Sequence, residues 1–360
     1  MSGAKMNMNM SDRIAKFDQS NMLDLILHFR DQVKDAVGIG KKAKFSQPGQ
    51  QISHILVVGM GGSAIGGNIL QKLFTASGTV PCNVIRDYRI PAWANQNTLV
   101  VVSSFSGNTE ETVSAYESAI SKGCSLVVCS SGGKVLQMAQ KEKHPFVQIP
   151  GGRPPRTALG YLLFPVLVQF VKWGMIKSSL IDYTELFTLL DEMAEENDPR
   201  NPDESVAMET AKACMQHIPI FYTSSEMTVI GMRWKGQICE NSKILAYNNV
   251  FPEMNHNEIA GWQRAAAMEL NDKLSVFFLR DRDDHPRVQK RMNIVRELIS
   301  QSRTPVHQID SHGETLLTRM FSLIYLADFV SFNLAMLCGE DPTPIKNIDY
   351  LKSSLAQDTN

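Results

Sequence analysis

The 360-residue chain has no charge excess of either sign, with 36 Lys and Arg set against 37 Asp and Glu. That balance gives no global field to gather nucleic acid or an anionic membrane. The six cysteines, Cys82, Cys124, Cys129, Cys214, Cys239 and Cys338, form no Cys-x-x-Cys pair. The eight histidines make no His-x-His or His-Glu-x-x-His pattern, and His307 and His312, five apart, are a weak basis for zinc. No structural metal is expected. Several cysteines sit in apolar, strand-like runs, which suits buried free thiols in a reducing cytoplasm. No stretch holds the roughly 20 uninterrupted apolar residues of a membrane span. The longest apolar segment, 314 to 338, is broken by Arg319, Asp328 and Asn333 and reads as a buried core helix. Residues 1 to 10, rich in Met, Asn and Ser, lack a signal peptide's apolar core and read as a floppy leader.

What is present is the composition of a globular protein, 43% hydrophobic and 20% charged, in a chain long enough for two domains. After a leading helix over 18 to 37, strands and helices alternate. Strands are expected at 55–58, 83–86, 99–102, 125–129 and 146–149, with helices at 64–74, 110–121 and 134–141 between them. Such βαβα order with nearly continuous apolar strands predicts a parallel sheet covered on both faces. A Gly-Gly-Arg-Pro-Pro-Arg stretch at 151–156 breaks the pattern, and helices follow at 158–173, 186–196 and 204–215. A second series then runs through strands 218–223, 244–248, 274–280 and 305–309, with helices at 227–242 and 286–301. The long helix 314–338, a Pro-rich turn and a last helix carrying Lys346 close the chain. The fold class is therefore α/β, with two doubly wound parallel sheets of flavodoxin-like type. The divisions are 1–50 leader and helix, 51–155 first domain, 156–200 helical connection, 201–310 second domain and 311–360 C-terminal helices.

Two turns carry the chemistry of the first half. Residues 103–109, Ser-Ser-Phe-Ser-Gly-Asn-Thr, follow a buried strand and open a helix. Ser104, Ser106 and Thr109 offer hydroxyls, Gly107 permits close approach, and the helix start contributes free N–H groups. The set suits a dianionic phosphate, while an ordinary capping cluster fits the same residues equally well. Gly59-Met60-Gly61-Gly62-Ser63-Ala64 lies at the first strand-to-helix turn and fits a dinucleotide fingerprint, with Asp87 where a ribose-binding acid belongs. Arg86 beside that acid, the Ser63 hydroxyl and the second anion-suited turn favour a sugar phosphate by a modest margin. A nicotinamide-dependent dehydrogenase stays open as the rival.

These two turns, with GGRPPRTALGY, RWKGQICENSK, FPEMNHNEIAGW and DPTPIKNIDYLK, stand in one order from about Gly59 to Lys352. Together they resemble the bifunctional phosphoglucose/phosphomannose isomerases, built on sugar isomerase (SIS) domains. The resemblance implies two SIS domains, a homodimer and no cofactor. It also implies interconversion of glucose 6-phosphate and mannose 6-phosphate with fructose 6-phosphate. By position it makes Ser104, Ser106 and Thr109 the phosphate-binding hydroxyls, with Gly61, Gly62 and Ser63 lining the sugar. Glu240 becomes the base, Arg156 the active-site arginine, Lys346 the active-site lysine and His256 the ring-opening histidine, supplied across the dimer interface.

The chemistry is coherent. Aldose–ketose isomerisation needs a base that reaches C1 and C2, a cation for the enediolate oxygen and help in opening the ring. Glutamate, a guanidinium and an imidazole supply these in turn. Each has a plainer counterpart: a solvated helix carboxylate for Glu240, an ion-pairing arginine for Arg156 with Arg153 as its nearest impostor, a loop histidine for His256, and surface lysines for Lys346 and Lys352. A non-catalytic sugar-phosphate sensor is the alternative, though no helix-turn-helix, basic face or long linker accompanies it. A glucosamine-phosphate-forming enzyme would need an N-terminal cysteine and a glutamine-hydrolysing domain, whereas this chain begins Met1-Ser2-Gly3.

Overall fold

The structure, a computed structural model, describes residues 8–45, 47–49, 51–201 and 205–357. Five strands, β1 (His54–Val58), β2 (Cys82–Ile85), β3 (Thr98–Ser104), β4 (Ser125–Ser130) and β5 (Phe146–Gln148), form a parallel sheet in the order β2-β1-β3-β4-β5. Val57 lies opposite Val84 on one side and Val101 on the other. Helices cover both faces, so β3 is buried at every position, and alternation would have left polar groups inside. The second sheet holds β6 (Ile218–Ser224), β7 (Tyr247–Phe251), β8 (Leu274–Arg280) and β9 (Val306–Asp310) in the order β7-β6-β8-β9, again parallel. Each sheet grows outward in both directions from its first strand. The crevices at β1/β3 and β6/β8 are therefore switch points, where open α/β sheets collect ligands beyond the strand ends.

Helix Leu316–Cys338 unites the two halves. It is long and apolar enough to cross a membrane, yet 89% of its most apolar window is buried inside the protein. Its charged interruptions are paired there, while the Asn333 amide is buried with no hydrogen-bond partner among the described residues. Asp328 accepts from Arg233 (2.7 Å) and Gln237 (2.6 Å), and Arg319 donates to Asp281 (2.8 Å). Trp234 reaches it through Nε1 to the Leu323 carbonyl (2.9 Å), and its Tyr325 hydroxyl donates to the Ile26 carbonyl (2.7 Å). Buried charges are tolerable only when paired in this way.

Several expected elements shift. The leading helix divides into Met22–Leu27 and Phe29–Lys42, and a separate helix, Met10–Phe17, precedes it. Asn21 turns left-handed, and the Asp18 carboxylate accepts from the Met22 and Leu23 amides, starting the chain afresh. Of the expected leader, residues 1–7 lie outside the described residues and Met10 is already helical. The helix expected from 204 runs Val206–Cys214, residue 204 itself lying outside the described residues. The strand expected at 244–248 sits three residues later, because the preceding turn extends to Lys243 and Tyr247 is the residue that pairs with Ile220. The helix expected over 227–242 is α-helical only from Thr228 to Gln237, and Ile238–Ser242 widens into a π turn. The expected free thiols are buried at Cys82, Cys124, Cys129 and Cys214, while Cys239 and Cys338 are part-exposed.

Candidate active site

The two turns of the first half meet at the β1/β3 crevice. Ser63 lies in the first turn of helix Gly61–Ser77, and its hydroxyl accepts the Phe105 amide (3.2 Å), tying the glycine turn to the hydroxyl turn. In the latter, Ser104 Oγ accepts the Gly107 amide (3.1 Å) and donates to Thr109 Oγ1 (3.4 Å), while Ser106 Oγ accepts the Asn108 amide (3.3 Å). Gly107 has φ +69°, and a Cβ there would fall 1.7 Å from the Gly132 carbonyl oxygen. Only glycine permits this turn. Thr109 occupies the N-cap of helix Glu110–Ser121, yet its side chain makes no capping bond. Helix Gly61–Ser77 is likewise uncapped by a side chain. Two helix starts therefore keep open donors beside a hydroxyl cluster, a good setting for an anion.

Arg156 rests on a short 3₁₀ turn, Pro155–Thr157, pressed against the glycine turn. A Cβ on Gly62 would come within 3.3 Å of the Arg156 Cα, so the missing side chain is what admits the arginine backbone. The guanidinium is 2% exposed. Its Nε donates to Asn241 Oδ1 (2.6 Å), and Nη2 donates to the Pro342 (2.5 Å) and Thr343 (2.9 Å) carbonyls. Nη1 alone turns to Glu240, 3.6 Å from Oε2. Burial pushes the arginine down and the Glu240 carboxylate pulls it back; a guanidinium stays charged throughout. Arg153, the competing arginine, stacks on the Tyr161 ring at 5.0 Å.

Glu240 sits in the π turn, its side chain 29% exposed. A π turn adds a residue to the helical circuit and rotates the chain beyond it, a device common at functional sites. Here it is locked from behind. Asn241 Nδ2 donates to Ser331 Oγ (2.9 Å) and Ser242 Oγ to the Ser331 carbonyl (2.8 Å), both on the long core helix. Arg233 adds a bond from Nη2 to the Arg156 carbonyl (2.9 Å).

Glu240 stands between two cavities. One, of about 220 Å³, is lined by Gly61, Gly62, Arg156 and Glu240 with Arg86 and Asn248. The other, of about 690 Å³, includes Glu240, Lys243, Asp341 and Lys346. Lys346 begins the last helix, Lys346–Gln357, and is exposed. His256 ends the 3₁₀ turn Glu253–His256, is also exposed, and lines neither cavity. Within one chain, then, the glycine turn, Arg156 and Glu240 converge. Lys346 approaches from the far side of Glu240, and His256 stays apart.

Residues 203–355 match the family model described as the bacterial phospho-glucose isomerase C-terminal SIS domain. A bifunctional phosphoglucose/phosphomannose isomerase of Caldicellulosiruptor bescii is 41% identical over 338 residues, 93% of this chain and 99% of that protein. One of the same name from Thermoplasma volcanium is 34% identical, covering 90% and 97%. The chain belongs to the bifunctional phosphoglucose/phosphomannose isomerase family. Two solved structures share the fold of this family member at low identity. A hypothetical protein of Thermus thermophilus has a TM-score of 0.72 at 13% identity, covering 97% of this chain and 93% of its own. The C-terminal domain of glucosamine-fructose-6-phosphate aminotransferase from Francisella tularensis has 0.64 at 14%, covering 90% and 98%. The α/β class and the paired SIS sheets stand as read.

Sequence reasoning for this isomerase family member passed over Asn241, Lys243, Arg233 and Asp328. The signal for Asp328 was a lone acid inside an apolar helix, spaced to meet Arg233 and Gln237 four residues apart on a facing helix. In the second half β6 likewise ends in hydroxyls, Thr223 and Ser224, and both are buried. Ser224 lies against the Asp284 carboxyl, which burial pushes up and Ser224 steadies. A carboxyl group is the wrong neighbour for a phosphate.

Proposed function

We propose that this chain interconverts glucose 6-phosphate and mannose 6-phosphate with fructose 6-phosphate through an enediol(ate), as a cytoplasmic homodimer. The observation that carries the reading is Glu240, held on a locked π turn beside Arg156 at the boundary of two cavities. Ser104, Ser106 and Thr109 take the 6-phosphate, and Gly61, Gly62 and Ser63 pass the sugar chain toward Glu240. The Glu240 carboxylate removes the proton from C2 of the aldose, Nη1 of Arg156 steadies the oxygen charge that develops, and the same proton returns to C1. A hydroxyl proton moves between O1 and O2, so the carbon skeleton is neither oxidised nor reduced overall and no cofactor is required. Lys346 and His256 serve ring opening by moving a proton between the ring oxygen and O1.

The homodimer is supported by what a single chain leaves uncovered. His256 is exposed and lines neither cavity of its own chain. Helix Lys346–Gln357 buries none of its residues and shows an apolar stripe, Ile348, Leu351 and Leu355, at helical spacing. A second copy that covers this stripe can bring its His256 to the site. The divisions at 51–155 and 201–310 fit one sheet each, and the helices of 311–360 carry Lys346 to the first domain's partner wall.

The test is incubation with fructose 6-phosphate, assaying both aldose phosphates. Wild type should form glucose and mannose 6-phosphates, and Glu240→Gln should lose turnover by at least about 10³-fold while still binding substrate. Near wild-type turnover in that variant would remove Glu240 as the base, and failure of the wild type to form any aldose phosphate would favour a sensor.

A further inference from the structure

Lys243 closes the π turn in a place where glycine is the usual choice. Its φ is +60°, in the left-handed region that costs an L residue strain. The side chain folds back over the turn it ends. Its ammonium donates to the carbonyls of Glu240 (2.5 Å), Asn241 (3.3 Å) and Pro342 (3.1 Å), so three donors meet three acceptors. The first two belong to the open end of the helix, whose carbonyls have no partners of their own. The third lies in the loop that leads to Lys346, and Arg156 Nη2 donates to the same Pro342 oxygen.

We infer that Lys243 is a positioning residue for catalysis: with Arg156 it grips the Pro342 carbonyl and holds the loop that delivers Lys346 against the turn that carries Glu240. The inference rests on the proposed isomerase reading, and it accounts for a strained lysine where glycine would fold with less cost. It also brings a pH response. Burial and the positive charge of Arg156 push Lys243 down to about 8, with Asp341, Glu340 and Glu240 pulling the other way. Lys16 and Lys346 face it across the larger cavity. Below that pH the ammonium holds all three carbonyls, and above it a neutral amine has one donor fewer, so the grip loosens as pH rises.

The experiment measures kcat, KM and Tm across about pH 6 to 10 for wild type, Lys243→Gly, Lys243→Arg and Glu240→Gln. Lys243→Gly removes the grip together with the left-handed strain. It should keep Tm within a few degrees of wild type and lose about tenfold or more in kcat, with KM little changed. Lys243→Arg should retain most of kcat and lose the alkaline decline, because a guanidinium remains charged across the range. Wild-type kcat in Lys243→Gly, or an unchanged alkaline decline in Lys243→Arg, overturns the inference. Should the glycine variant not fold, the arginine profile decides alone. An active wild type with an inactive Glu240→Gln and a fully active Lys243→Gly removes the Lys243 role only, whereas an inactive wild type removes the isomerase reading and this inference with it.

Discussion

Arg156 spends most of its donors on the protein itself. Two of its three nitrogens bind Asn241 and the 342–343 carbonyls, leaving Nη1 to face Glu240. A planar fork can hold protein and substrate together, and a lysine cannot. Arg156→Lys should therefore cut kcat by about 10² to 10³, comparable to deleting a fixed oxyanion donor, as progress curves with fructose 6-phosphate would read. A loss under tenfold would make the arginine a structural strut. At this scale the sequence was informative where backbone chemistry is restrictive. The prolines before Arg156 and the glycines at 61, 62 and 107 announce fixed turns and close approaches. Lys243 and Asn241 gave no such sign, since their roles depend on distant partners, the Pro342 carbonyl for Lys243 and Arg156 Nε with Ser331 Oγ for Asn241.

Helix 228–242 meets the core helix through a polar ladder set beside the apolar contacts of Ile230, Trp234 and Ile238. Arg233, Gln237 and Asn241 recur every four residues and find Asp328 and Ser331. Removing one member strands another in a dry interior. Asp328→Ala should cost about 3–5 kcal/mol in urea unfolding by leaving Arg233 buried and unpaired, and the Arg233→Met/Asp328→Leu pair should recover much of it. A single-variant loss below about 1 kcal/mol would mean that water replaces the carboxylate. Element types and most strand limits were readable, because short apolar runs such as 55–58 and 99–102, bounded by polar or turn residues, are strands in a parallel sheet. The π turn was not readable. Periodicity changes by a single residue there, and an apolar pattern hides such an insertion. The shift of β7 follows from it, since the wider turn delays the chain before pairing begins.

Both halves of the molecule use one strand order, yet only in the first do the switch-point hydroxyls bond one another and the amides of their own turn, while Thr223 and Ser224 are buried. That asymmetry was invisible in sequence, where 104–109 and 223–225 look alike; the difference is Asp284, brought in from sixty residues downstream. The proposed sharing of sites between subunits is tested by mixing. Glu240→Gln and His256→Ala homodimers, each inactive, should regain about one quarter of wild-type activity after subunit exchange, because half the dimers are hybrids with one intact site. No recovery, with exchange verified by tagged subunits, would place His256 in its own chain's site or outside catalysis.

The long core helix has a consequence for how the chain comes to be folded. It is bound near its end by the first described helix, through Arg13 to the Met336 carbonyl at 3.0 Å, a contact spanning 323 residues. At its middle Tyr325 grips Ile26 across 299 residues. Residues 10–27 thus have partners about 300 residues further along the chain, whereas Phe29–Lys42 already packs against helix Leu159–Lys172. Contacts of such separation form late and slowly. A chain stopped short of the core helix leaves Arg13 and the Ile26 carbonyl without these partners.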